Sequence, residues 1–139
     1  MMQSEERPVA IARLTRPATA ATIGEARRWA TTFAGEHGMD RSRRDDLEEA
    51  VSEAVTGTVD ALEEGEAGDV ALAIATDGDW LTVRIEEQGC ATGPMSYDRG
   101  LGLLTTPADR IEFGPSIGCD GTTVVMEFPV RLRSAERPS

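Results

Sequence analysis

The sequence predicts an α+β two-layer sandwich, with a mixed, mainly antiparallel sheet covered by helices on one face. Three observations carry that expectation. Two long segments near the N-terminal end have apolar residues at helical spacing. Several short segments alternate polar and apolar residues and are separated by Asp-Gly turn signals. The resulting order, β-α-α-β-β-loop-α-β-β, lacks the regular strand-helix alternation of a doubly wound parallel sheet.

The elements follow in chain order. Pro8–Thr15 alternates loosely and is expected to be a strand. Thr19–Glu36 is a helix in which Ala21, Ile23, Ala26, Trp29, Ala30 and Phe33 recur on the helical period, with Gly38 as its stop signal. A second helix begins near Ser42, where Asp45 three residues on makes a weak capping box. Its buried stripe is expected to be Leu47, Ala50, Val51, Ala54, Thr58, Ala61 and Leu62, and Gly65 and Gly68 end it. Val70–Ala75 and Leu81–Glu86 form a strand pair around Asp77-Gly78. Gln88–Gly100 is a loop with three glycines and a proline, and Leu101–Asp109 is a short helix. Arg110–Phe113 and Thr122–Val130 complete the sheet, with Asp120-Gly121 as a turn between them.

The 139 residues suit a single domain spanning 1–139, with a core over about 8–131 and short flexible ends at 1–6 and 134–139. A hydrophobic content of 40% argues against disorder throughout. The net charge of -11, with no cation between Asp45 and Asp69, repels nucleic acid and anionic membranes and favours a protein partner with a basic face. The N-terminal residues lack a signal-peptide apolar region, and no apolar run approaches membrane length, so the expected location is cytoplasmic. Cys90 and Cys119 match no metal spacing and read as reduced thiols. His37, the only histidine, reads as a solvated loop residue.

Four stretches carry more. They are AVSEAV at Ala50–Val55, VRIEEQGCATG at Val83–Gly93, RGLGLL at Arg99–Leu104 and GTTVVMEF at Gly121–Phe128. In this order and spacing they resemble the GHKL-type ATPase domain of gyrase, Hsp90, histidine kinases and mismatch repair proteins, with its Bergerat fold. Within that family they are most similar to the bacterial anti-sigma-factor serine kinases. The resemblance spans roughly residues 8 to 131. It implies ATP as cofactor, and a sigma factor or an anti-sigma antagonist protein, or both, as partner in transcription regulation. It also implies a homodimer formed through the first helix.

The same resemblance assigns roles to residues. Glu53 takes the place of the general base that orders the attacking hydroxyl. Glu87 stands where an aspartate reads the adenine amino group. Gly89, Gly100, Gly102, Gly121 and Thr122 take the places that line the nucleotide, where glycines let backbone amides approach its oxygens. Arg99 stands beside the phosphates. The residues alone leave the ordinary readings open: Glu53 as a solvated acid on an acidic helix, and Glu87 as an exposed acid at a strand end.

Departures matter as much. The position one turn after Glu53 normally holds the magnesium-coordinating asparagine, and here it is Gly57. A glycine supplies no ligand, and inside a helix it costs about 1 kcal/mol relative to alanine. Magnesium is therefore doubtful and no metal ligand is assigned. Asp60, on roughly the same face by helical spacing, is a substitute carboxylate to consider. Glu87 is one methylene longer than the usual aspartate, and Ala91 replaces a loop glycine. The expected function is an anti-sigma-factor-like regulator with impaired phosphotransfer and residual ATP binding. The alternative is an active, magnesium-dependent protein serine kinase acting on an anti-sigma antagonist.

Overall fold

The computed structural model describes residues 9–64, 68–88, 108–115 and 122–131. Strand β1 (Ala10–Pro17) leads into helices α1 (Ala20–Glu36) and α2 (Arg41–Glu64). Strands β2 (Asp69–Thr76), β3 (Trp80–Gln88), β4 (Arg110–Pro115) and β5 (Thr122–Pro129) follow. They form one five-stranded sheet in the order β1-β2-β3-β5-β4. Every pairing among the described strands is antiparallel. The expected helix within Leu101–Asp109 and the Asp120-Gly121 turn lie outside the described residues, apart from Ala108 and Asp109, which are not helical. So do the two chain ends and both cysteines.

The link between the helices shows why the sequence punctuates where it does. The amide of Gly38 donates to the carbonyl of Gly35 (3.3 Å), and that of Met39 to Ala34 (3.0 Å). This is the Schellman arrangement, and it requires the left-handed φ of +87° that Gly38 adopts. Met39 is then buried at 4% exposure, supplying the apolar contact such caps favour. His37 is exposed, as expected, and its Nδ1 lies 2.8 Å from the carbonyl of Phe33. Asp40 donates from its amide to the carbonyl of Val130 (3.0 Å), and Val130 in turn to Asp79 (2.8 Å). These two bonds tie the start of α2 to the β2–β3 turn. From there its 24 residues rise roughly 36 Å toward the opposite end of the sandwich.

The β2–β3 connection is built by side chains as well as by Gly78, whose φ is +98°. Asp77 Oδ1 accepts from the amides of Asp79 and Trp80, both at 2.9 Å. Thr76 Oγ1 donates to the carbonyl of Trp80 (2.8 Å) and accepts from the amide of Gly78 (3.0 Å). Asn and Asp side chains that mimic a backbone turn in this way pin strand register.

The core lies between the helices and one face of the sheet. Ala26, Ala30 and Ala34 of α1 are fully buried, and so are Leu47, Ala50, Val51, Ala54 and Val55 of α2. Val70, Ile74, Leu81, Val83, Ile85, Val124, Met126 and Phe128 meet them from the sheet. The stripe on α2 is wider than the sequence pattern implies: Val55 and Val59 are buried too, at 0% and 2%. The side chains of Ala61 and Leu62 lie outside the described residues. Phe33 is core, while Trp29 packs half-buried at its margin.

Candidate nucleotide site

The site expected from sequence draws on α2, the end of β3, the following loop and the start of β5. Strand β3 is longer than expected, running through Gln88 rather than ending at Glu86. The two extra residues decide where Glu87 goes. Side chains alternate across a strand, and Leu81, Val83 and Ile85 all face the helices. Glu87 continues that series inward and is only 2% exposed. It is not the exposed strand-end acid of the ordinary reading. A carboxylate this deep is costly unless the surroundings compensate it, which sets Glu87 apart from an incidental surface acid.

Its neighbours are set by register. Glu87 lies opposite Val70 on β2. On the other side, Glu86 pairs with Thr123 of β5, so one further step brings the backbone of Thr122 beside Glu87. The structure thus unites two of the sequence-assigned residues at one end of two adjacent strands. That end is the one toward which α2 climbs, away from the β2–β3 turn. Gly57, in the second half of α2, lies toward it.

The three α2 positions part company. Gly57 is buried, whereas Glu53 and Asp60 are exposed. Asp60, three residues after Gly57, is solvent-exposed like Glu53 and lies on roughly the same side of the helix as both. Buried Thr58 donates its hydroxyl to the carbonyl of Ala54 (3.1 Å) within the helix. At Gly57 itself there is no side-chain oxygen to hold a cation, so the residues present do not fit a magnesium ion held in the family's manner. Among the described residues no three His, Cys, Asp or Glu side chains converge as a metal site. Gly89, Ala91, Arg99, Gly100, Gly102 and Gly121 lie outside the described residues, as does the side chain of Thr122.

One grouping has no counterpart in the sequence pattern. At the β2–β3 turn, Asp77, Trp80, Thr82, Asp109, Arg110 and Glu127 line a groove of about 720 Å³. Three strands contribute to it, and only the register of β3, β5 and β4 brings them together.

Comparison with known proteins bears on the whole. A family model described as the histidine kinase-like ATPase domain matches residues 16–128. No curated protein sequence matches the chain significantly. Among solved structures, the chain is similar to the RsbU and RsbW domains of Rv1364c from Mycobacterium tuberculosis. The TM-score is 0.61 and the identity 22%, over 89% of this chain and 34% of that one. This chain thus spans about a third of its structural neighbour, and the likeness is one of fold. No helix among the described residues is long and apolar enough to cross a membrane.

Proposed function

The chain belongs to the histidine kinase-like ATPase family, and from that premise we propose that it is an anti-sigma-factor-like regulator with residual ATP binding and impaired phosphotransfer. The observation that carries the ATP half is Glu87: a carboxylate 2% exposed, on the helix side of the sheet, at the end of β3. A carboxylate there offers acceptor oxygens to the exocyclic amine of an adenine. In this reading Gly89, Gly100, Gly102, Gly121 and Thr122 line the nucleotide, and Arg99 stands near its phosphates.

The impaired half rests on Gly57. Phosphoryl transfer depends on positioned positive charge at the phosphates, and Gly57 removes one ligand from the cation that supplies it. An active kinase is the second reading, and the exposure of Glu53 favours it: a base that serves a hydroxyl on another protein has to be reachable. By the same family resemblance the partner is a sigma factor, an anti-sigma antagonist, or both. The protein works in the cytoplasm, as one domain over 1–139 with its core at about 8–131.

The test is a calorimetric titration with ATP, run with magnesium and again with a chelator. Binding that ignores magnesium and is lost in Glu87→Gln supports the reading. Tight magnesium-dependent binding, followed by phosphotransfer that Glu53→Gln abolishes, establishes the active kinase instead. No heat in either condition, with an unchanged melting temperature, removes the nucleotide from the account. Gly57→Asn restores the missing ligand and is expected to raise affinity only when magnesium is present.

A further inference from the structure

We propose that strand β1 pairs antiparallel with β1 of a second copy of this chain, around a two-fold axis at Ala12. β1 ends the sheet, so one edge of its backbone has no strand beside it among the described residues. The phase of the β1–β2 ladder decides which groups that edge presents. The amide of Ala18 donates to the carbonyl of Gly68 (3.0 Å), one step beyond the Pro17–Asp69 pair. Bonded pairs alternate with non-bonded ones along an antiparallel ladder, so Arg16, Leu14, Ala12 and Ala10 bond to β2. The backbone groups of Ile11, Arg13 and Thr15 therefore point outward. The opposite edge of the sheet is guarded: β4 has six residues, carries exposed Arg110 and Glu112, and ends in Pro115. β1 has eight, and Ile11 and Val9 leave large apolar side chains 54% and 59% exposed along it.

The flank above this edge is an unfinished core. Ala10, Ala12 and Leu14 of β1, with Ile23 and Trp29 of α1, pack against the core yet are only partly buried. On the next strand Val70, Leu72 and Ile74 are closed off. A groove of about 410 Å³ lies between α1 and β1, with Ala12, Trp29 and Phe33 among its lining residues. A second copy would complete this flank as the missing half of a core. Charge permits the approach: the chain carries a net -11, yet residues 8–24 contain no acid.

The sequence of β1 selects the axis. A two-fold axis normal to the sheet keeps both helix layers on one side and pairs residues of the same face. At Arg13 it would set that cation against itself, and like charges directly opposite are destabilising. At Leu14 it would need the carbonyl of Thr15, which already accepts from Arg16 Nη1 (2.9 Å), and an amide N–H that Pro17 lacks. At Ile11 it would need Val9, which precedes the strand. At Ala12 it needs only Ile11 and Arg13, which exchange both backbone bonds across the axis. Ala10 then meets Leu14 of the second copy, and the two grooves join over the paired Ala12 residues. The dimer expected from the sequence used the first helix; here the strand makes the contact and α1 flanks it.

Sedimentation at rising protein concentration is expected to show a reversible monomer–dimer equilibrium. Ile11 faces Arg13 twice around the axis, so at low salt Ile11→Lys is expected to weaken the dimer about tenfold and Ile11→Glu to tighten it by a similar factor. Ile11 is exposed, so neither change disturbs the single chain. Ile11→Lys with Arg13→Glu is expected to recover the original dissociation constant. In a background of Cys90→Ser with Cys119→Ser, Ala12→Cys is expected to give a covalent dimer on oxidation, because Cα atoms of a directly opposed non-bonded pair lie about 4.5 Å apart. Thr15→Cys is expected to give none, since its two copies lie about 20 Å apart along the strands. A chain that is monomeric at every concentration overturns the proposal. So does a dimer that lysine and glutamate at position 11 affect alike, or one that Thr15→Cys locks and Ala12→Cys does not.

Discussion

Glu53 and Glu87 are both acids that the sequence assigns to one site, and the fold treats them oppositely. Glu53 sits on the outer face of α2, in a stretch where exposed acids are common: Asp45, Glu48, Glu49 and Asp60 are also exposed. Glu87 sits among Val70, Ile85 and the backbone of β5, at 2% exposure. A solvated acid needs no explanation, because water stabilises its charge at no cost to the fold. A buried one opposes folding unless something offsets its desolvation. The contrast teaches that the two assignments do not stand on equal physical ground. Glu87 is an anomaly of this chain, while Glu53 owes its role to family resemblance alone.

Three substitutions sharpen that contrast. The largest effect is expected two residues before the buried acid, on the same face. Ile85→Ala removes a fully buried side chain and should lower unfolding free energy by about 2–5 kcal/mol in a denaturant titration. A much smaller loss would mean that this end of the sandwich is loosely packed and that Glu87 is less enclosed than its exposure states. Glu87→Ala comes next, at about 1–3 kcal/mol, since truncation leaves both a gap and polar neighbours without their acceptor. Glu53→Ala should change stability by no more than about 0.5 kcal/mol, as exposed positions usually do. If the two glutamates proved equally sensitive in thermal melts, the distinction between them would collapse.

Much of the fold is legible in the order of residues. Gly38 and Asp77-Gly78 are local signals with local causes: a left-handed φ after α1, and a turn that an aspartate side chain closes. They mark element boundaries because no tertiary partner is needed to satisfy them. The apolar stripe on α2 reads correctly from Leu47 to Thr58, yet Val55 and Val59 fall outside it. They are buried because a helix lying lengthwise on a sheet covers more of its circumference than a narrow stripe implies.

The candidate site was less legible, for a reason of parity. A strand that ends at Glu86 leaves Glu87 in a loop, free to face water. A strand that continues to Gln88 commits Glu87 to the interior, because the side-chain period is two. Strand length is decided by the partners available for hydrogen bonding, here Asp69 and Val70 across from Gln88 and Glu87. Those partners lie well back along the chain, on the other side of the β2–β3 turn. Helical spacing likewise places Glu53, Gly57 and Asp60 on a common side of α2 only approximately. Only the packed helix shows which side of α2 faces inward.

The sequence by itself determined the order and type of most elements, the turn chemistry, the acidity of the chain and the presence at position 57 of a glycine, which has no side-chain oxygen. Each of these is written in residue identity or in short-range spacing. Tertiary structure alone decided that Glu87 is buried, that Val55 and Val59 join the buried side of α2, and that Trp80, Asp109 and Glu127 share one groove. Each of these depends on strand extent, on register or on the roll of a helix. Such features are fixed by contacts between distant segments, and a linear pattern does not encode them one residue at a time.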